Sequence, residues 1–187
     1  PAGAASPNRA GGLAAGVPGT VAGLLQAQQS YGHLSREEAL APAIRLAERG
    51  FEADEAYVRA AQNVAREFAA HPEWQDRFAF VWERYLLRGN VKVGDLIHVP
   101  EQAAALRLIA SDGASAFYDG PIAEAIVRAV QSDGGIMTRE DLRGYEARSV
   151  EPLRFEYAGR TVLTMPPPSS GGVTMAQALG ILGHIRS

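Results

Sequence analysis

The chain has 187 residues, 47% of them hydrophobic, and a formal net charge of -3. This composition suits a globular domain or a large piece of one and excludes a disordered tail or a fibre. Lys and Arg are scattered among acidic residues instead of forming a basic face, so nucleic acid and anionic membranes are not expected as partners. Because the sequence contains no cysteine, disulfides, thiol catalysis and thiolate metal sites are excluded.

The first part of the chain, residues 1–16, is predicted to be a flexible segment. It is rich in Ala, Gly and Pro and offers too little apolar surface to order itself. It lacks the apolar stretch of a signal peptide, and no apolar run in the chain approaches the roughly 20 residues that span a bilayer. The chain begins with Pro1 and not with Met, so we expect an earlier start to have been removed. Residues 17–187 are predicted to form one unit.

Helices dominate the prediction between residues 18 and 145, because apolar residues recur there at helical spacing between start and stop signals. Ser35 and Glu38 have the spacing of a capping box, in which each side chain bonds to the backbone N–H of the other residue. Pro42 lies inside the second helix and predicts a kink or a separate first turn. The predicted helices span residues 18–31, 36–49, 54–70, 101–112, 121–132 and 139–145.

Aromatic residues are concentrated in one short segment after the third predicted helix. We expect them to form a packing cluster and not a substrate-stacking surface. These residues are Trp74, Phe78, Phe80, Trp82 and Tyr85. Residues 89–99 are predicted to be a loop, and residues 117–120 a tight link between two helices.

A β-hairpin is predicted after Pro152, where the apolar pattern changes from helical to alternating. Its strands span residues 153–157 and 161–165, and Ala158-Gly159 supplies the turn. An isolated two-stranded sheet is at best marginally stable in water, so we expect the hairpin to join strands supplied from elsewhere. The predicted fold class is therefore α+β, mostly helical with one hairpin.

Metal and phosphate sites find little support in the sequence. The four histidines are far apart, and no His-Glu-x-x-His motif is present, so no metal site is predicted. They are His33, His71, His98 and His184. No G-x-G-x-x-G or P-loop motif occurs. Gly171-Gly172 leads into a helix and offers N–H groups to an anion, but no Lys lies nearby to strengthen such a site.

Residues 166–172 (Pro-Pro-Pro-Ser-Ser-Gly-Gly) join the hairpin to an Ala-rich helical tail. Proline stops a strand or helix, and glycine permits conformations denied to other residues. Ser169 and Ser170 lie in neither a G-x-S-x-G nor an S-x-x-K motif, which disfavours a catalytic serine.

Five sequence blocks together resemble the γ-glutamyltranspeptidases and occur in the order found in that family. The resemblance covers residues 16–185 and is similar to the central and later part of the family's large subunit. The blocks are residues 16–23 (GVPGTVAG), 42–51 (PAIRLAERGF), 117–123 (FYDGPIA), 134–142 (GGIMTREDL) extending to Tyr145, and 165–172 (MPPPSSGG).

This resemblance implies an N-terminal-nucleophile hydrolase with an αββα sandwich, whose precursor cuts itself. The new N-terminal Thr of the small subunit would attack the γ-glutamyl amide of glutathione or a related donor, and water or an amine would resolve the acyl-enzyme. The expected partners are therefore the small subunit of the same precursor and a γ-glutamyl small molecule, with no cofactor and no metal. The family also suggests a periplasmic or secreted protein.

No catalytic residue is carried onto this chain by the resemblance. The family's nucleophilic Thr would follow Ser187, its donor-binding arginine would precede Pro1, and its adjacent-serine oxyanion element belongs to the small subunit. We therefore predict that this chain alone is inactive. The Pro/Ser/Gly segment is predicted to be a rigid corner near the cleft that does not react, formed by Pro167, Pro168, Ser169, Ser170, Gly171 and Gly172.

Two other functions remain open on the sequence alone. A related acylase or a poly-γ-glutamate depolymerase would share the scaffold and differ in the pocket. A helical binding module would keep the scaffold without the chemistry.

Overall fold

The computed structural model describes residues 11–185 and confirms the predicted mostly helical α+β fold. The contacts divide the chain into two compact units, with the division between Glu146 and Ala147. No helix among the described residues is both long and apolar enough to cross a membrane. The grouping of residues 17–187 as one large-subunit fragment stays a prediction.

The first unit contains eight α-helices and one two-stranded sheet among its described residues. The helices are α1 (Thr20–Tyr31), α2 (Arg36–Arg49), α3 (Glu55–Ala70), α4 (Trp74–Arg77), α5 (Pro100–Asp112), α6 (Ala114–Tyr118), α7 (Pro121–Ser132) and α8 (Arg139–Arg143). The strands are β1 (Phe51–Glu52) and β2 (Leu96–Ile97), which pair antiparallel.

The capping box predicted at the start of α2 is confirmed, and a second one is found at the start of α8. At the start of α2, the Glu38 N–H donates to Ser35 Oγ at 3.1 Å, and the Ser35 N–H donates to Glu38 Oε2 at 2.8 Å. Thr138 and Asp141 form the same reciprocal pair at the start of α8. Each pair satisfies N–H groups that have no partner inside the helix.

Three local predictions differ from the structure. Helix α2 continues through Pro42 from Arg36 to Arg49, so the separate first turn does not form, and the alternative of a kink at Pro42 stays a prediction. Residues 114–118 form helix α6, which includes the first two residues of the predicted link at residues 117–120. The predicted loop at residues 89–99 contains β2, which pairs with β1; strands of two residues are too short for their alternation to be recognised in sequence.

The first unit has two hydrophobic cores. The first core, which we call the aromatic core, has buried residues that all lie between Ala53 and Val99. Trp74, Phe78, Trp82 and Tyr85 pack against it, as predicted for a packing cluster, whereas Phe80 is 46% exposed. The second core, which we call the block core, is built from α1, α6, α7 and α8. Its buried residues are Tyr118, Ala123, Met137 and Leu142.

The flexible segment predicted over residues 1–16 falls partly outside the described residues. Residues 11–16 are described, and they differ from that prediction. Gly12–Ala14 form a 3₁₀ turn, and Gly12 is buried. The Gly12 N–H donates to Asp133 Oδ2 at 2.7 Å, so this end of the segment is attached to the fold.

The second unit consists of the predicted hairpin and one helix. Strands β3 (Leu153–Tyr157) and β4 (Arg160–Thr164) pair antiparallel, with Leu153 opposite Thr164. Helix α9 (Ser170–Ile185) follows and packs on β3.

Candidate functional site

The Pro/Ser/Gly segment, residues 166–172, forms the turn between β4 and α9 in the second unit. The Ser169 N–H donates to the Pro166 carbonyl oxygen at 3.2 Å, and the Pro167–Pro168 peptide bond is cis. Helix α9 starts at Ser170, so both glycines lie in its first turn. The prolines end the strand and lead the chain directly into the helix.

Gly172 is the tightest point of this turn. It is buried, and a β-carbon added to it would lie 2.0 Å from the Met165 carbonyl oxygen and 2.9 Å from Thr164 Cγ2. Only glycine allows the first turn of α9 to approach the end of β4 so closely. The packing of the first turn of α9 on the end of β4 therefore depends on glycine at this one position.

The two serines of the segment are exposed and show no activating partner. Neither hydroxyl is hydrogen-bonded to a histidine, a carboxylate or an amine within residues 11–185. A serine nucleophile needs such a base within hydrogen-bond reach. The geometry thus agrees with a structural role for Ser169 and Ser170, and their place near a substrate cleft stays a prediction.

Three of the five sequence blocks meet in the block core of the first unit. These are the blocks at residues 16–23, 117–123 and 134–145. Val17, Val21 and Tyr145 pack around its buried residues. Three segments that are far apart in sequence therefore pack together in one hydrophobic core.

Tyr118 connects these blocks through its hydroxyl group. The hydroxyl donates to the Pro18 carbonyl oxygen at 2.7 Å and accepts from the Ala22 N–H at 3.1 Å. Its ring stacks on Tyr145, with centroids 5.6 Å apart. Gly19, the N-cap of α1, has no side chain for capping, so Tyr118 supplies an acceptor for a helix N–H. Burial raises the pKa of Tyr118, which keeps the hydroxyl protonated and able to donate.

Asp119 forms the charged side of the same core. Its Oδ1 accepts from Arg143 Nη2 at 2.7 Å and from Arg143 Nε at 3.0 Å. Arg139 donates to the Asp119 carbonyl oxygen at 2.8 Å and to Glu124 Oε1 at 3.0 Å. These contacts attach α8 to the start of α7. The hydrogen bonds from Arg143, followed by its charge, lower the pKa of Asp119 below its ordinary value.

We expect Asp119→Asn to reduce the acid sensitivity of the fold. Because the pKa of Asp119 is lower in the folded chain than in the unfolded chain, its contribution to stability is complete above a pH of about 4 and is lost as the pH falls further. Urea unfolding from neutral pH down to about pH 3 measures this effect. The variant should be less stable at neutral pH and lose less stability on acidification, and equal losses in both proteins would contradict the assignment.

The histidines do not gather into a metal site. His71 stacks on Trp74 at 4.4 Å, and His184 Nδ1 lies 2.9 Å from the Gly180 carbonyl oxygen. Within residues 11–185, no group of three or more His, Asp or Glu side chains could hold a metal ion.

The sequence profile of the γ-glutamyltranspeptidase family matches residues 2–187. A glutathione hydrolase proenzyme of Pseudomonas aeruginosa is 38% identical over 171 residues, which are 91% of this chain and 29% of the relative. The crystal structure of Helicobacter pylori γ-glutamyltranspeptidase superposes with a TM-score of 0.82 at 33% identity, over 95% of this chain and 49% of that chain. A cephalosporin acylase of Bacillus halodurans gives a TM-score of 0.74 at 30% identity, over 81% of this chain and 29% of that one.

The chain belongs to the γ-glutamyltranspeptidase family, as the sequence blocks predicted. Its fold is that of a mostly helical fragment of an N-terminal-nucleophile hydrolase, which confirms the predicted fold class. The chain spans about 29% of the length of the Pseudomonas relative.

Proposed function

We propose that this chain is a large-subunit segment of an enzyme that cleaves γ-glutamyl amides and transfers the γ-glutamyl group to water or to an amine. In this proposal an N-terminal Thr outside the chain attacks the γ-carbonyl carbon through its hydroxyl oxygen. The C–N bond breaks, the amine leaves with a proton, and an ester remains. Water or the acceptor amine then breaks the ester and restores the Thr hydroxyl.

The observation that carries this proposal is the family match over residues 2–187. The name of the Pseudomonas relative, glutathione hydrolase proenzyme, supports a glutathione-like donor and synthesis as a precursor. The five blocks that suggested the family extend over both compact units of the chain. The similarity is therefore not confined to one short motif.

The exposed surface of the second unit supports a partner subunit. Strands β3 and β4 pair only with each other within the described residues. Helix α9 is apolar along most of its length, and Ile181 and Ile185 are 63% and 75% exposed. A helix that is hydrophobic on all sides is normally buried, and a hairpin needs further strands or a packing layer to be stable. We infer that the small subunit of the same precursor covers part of this exposed surface of the hairpin and α9.

The proposal is tested with the full-length gene product and a chromogenic γ-glutamyl anilide. We expect self-cleavage into two subunits, release of the aniline, and inhibition of that release by glutathione. The chain of residues 1–187 alone should release none above the uncatalysed rate. A full-length protein that cleaves itself but leaves the anilide intact would refute the γ-glutamyl specificity, and activity of the isolated chain would refute its role as an inactive segment.

A related acylase is a second candidate because of the similarity to the Bacillus halodurans cephalosporin acylase. The same full-length protein should then hydrolyse a cephalosporin side-chain amide faster than the γ-glutamyl anilide. The ratio of the two kcat/KM values separates the candidates.

A periplasmic or secreted location is also part of the proposal. Fractionation of the source cells tests this location.

We expect the double variant Ser169→Ala, Ser170→Ala of the full-length enzyme to keep its self-cleavage and most of its turnover. Both hydroxyls are exposed and lack an activating base in the described structure. Steady-state turnover of the γ-glutamyl anilide and gel analysis of the subunits measure the two activities. Loss of turnover in a variant that still folds and cleaves itself would show that the serines take part in the chemistry.

A further inference from the structure

Gly11 and Gly12 bring the chain into the fold along the C-terminal end of α7. A β-carbon added to Gly12 would lie 2.3 Å from the Val130 carbonyl oxygen and 2.6 Å from the Gly135 nitrogen. Main chain therefore packs directly on main chain here, with no room for a side chain. The only large apolar residue of the segment, Leu13, is 51% exposed, so hydrophobic burial holds it weakly.

Asp133 attaches this segment to the end of α7. Its Oδ2 accepts from the Gly12 N–H at 2.7 Å and from Arg77 Nη2 at 2.8 Å, and its Oδ1 accepts from Arg77 Nε at 2.5 Å. A guanidinium and a carboxylate joined by two hydrogen bonds form a strong and directional pair. These bonds lower the pKa of Asp133, so the Gly12 N–H meets a charged acceptor at neutral pH.

The two partners of this pair belong to different cores. Arg77 ends α4, whose Trp74 packs edge to face on Phe68 in the aromatic core. Asp133 follows α7, whose Val130 packs against the block core. Among the ion pairs formed by residues 11–185, Arg77–Asp133 is the one that joins residues 53–99 to residues 114–145. The pair therefore lies where the two cores and the incoming chain meet.

We propose that Arg77 and Asp133 form a clamp that fixes residues 11–16 between the two cores, and that opening this clamp releases the segment while both cores stay folded. This clamp is a conformational element of the fold and is independent of the proposed reaction. We infer this clamp because residues 11–16 are attached by polar contacts and bury little apolar surface. Local opening of this kind is governed by the few contacts that hold the segment, and not by global stability.

Amide hydrogen exchange, resolved to single residues in the intact protein, tests the clamp. In Asp133→Ala we expect the hydrogen-bonded amides of residues 11–16, those of Gly12, Ala14 and Ala15, to exchange about tenfold faster, because the charged acceptor and the ion pair are both lost. The double variant Arg77→Asp, Asp133→Arg, in which the two charged residues change places, should give a similar increase in the exchange rate. Arginine at position 133 has no acceptor for the Gly12 N–H. Arg77→Ala should have a smaller effect, because Asp133 can still accept from Gly12.

The amides of Ile97 and Leu142, which report on the two cores, should exchange as in the wild type in all three variants. Glu48→Ala is the control, because it breaks another ion pair between two helices, Arg107–Glu48 between α2 and α5, which is more exposed than Arg77–Asp133. It should leave residues 11–16 unchanged. Unchanged exchange at residues 11–16 in Asp133→Ala would overturn the clamp, and so would an equal acceleration of the core amides, which would show a general loss of stability.

Discussion

Gly172→Ala is expected to destabilise the hairpin and helix of the second unit by about 3 kcal/mol. The new β-carbon would lie 2.0 Å from the Met165 carbonyl oxygen, a main-chain atom that cannot rotate away. Helix α9 would have to move off the end of β4, and the contacts of α9 with β3 would be lost with it. Urea unfolding of the chain, followed by far-ultraviolet circular dichroism, measures the change.

Gly180→Ala is the matched control in the same helix. A β-carbon at Gly180 meets no atom within 4 Å, so only the helix preference of alanine acts there. We expect this variant to gain about 0.5–1 kcal/mol. If both variants changed stability in the same direction and by similar amounts, the close approach at Gly172 would not be the cause.

Tyr118→Phe is expected to destabilise the first unit by about 2 kcal/mol, because it removes one hydroxyl that serves two backbone groups. The side chain is 6% exposed, so water cannot readily replace that hydroxyl. The Pro18 carbonyl oxygen would lose its donor, and the Ala22 N–H would lose its acceptor. Besides a lower unfolding midpoint, we expect faster amide exchange at the start of α1.

Tyr145→Phe provides the comparison for this prediction. Its ring stacks on Tyr118, and its hydroxyl makes no hydrogen bond with the residues that the structure describes. The loss of this hydroxyl should therefore cost less than about 0.5 kcal/mol. Equal losses in the two variants would mean that the Tyr118 hydroxyl does not cap α1.

The helices were predictable because their signals are local. The capping boxes at Ser35 and Thr138, and the proline that starts α7, each act within a few residues. The hairpin was predictable for the same reason, although β4 starts one residue earlier than expected. Pairing of β1 with β2 was not predictable, because it joins two-residue strands from distant parts of the chain.

The candidate site was less accessible to sequence reasoning. The Pro/Ser/Gly segment could be recognised as a corner, but the need for glycine at position 172 depends on where Met165 lies in space. Tyr118 and Tyr145 both occur in blocks that carried the family resemblance, yet their stacking becomes visible only when the fold brings the blocks together. The Arg77–Asp133 pair had no signal in the sequence, since each residue resembles an ordinary surface charge.

Residues 53–95 form an excursion of the chain whose two ends are held together by the pairing of β1 with β2. Helices α2 and α5 pack on each other, and the Val99 N–H donates to the Ala47 carbonyl oxygen at 3.1 Å, so the two ends of the excursion lie side by side. All the buried residues of the aromatic core lie within or next to this excursion. A change in the length of such a segment costs little loop-closure entropy as long as the helices at its base keep their contacts. Variation among relatives should therefore concentrate between residues 53 and 95, and an engineered graft at this base should be tolerated better than one inside the block core.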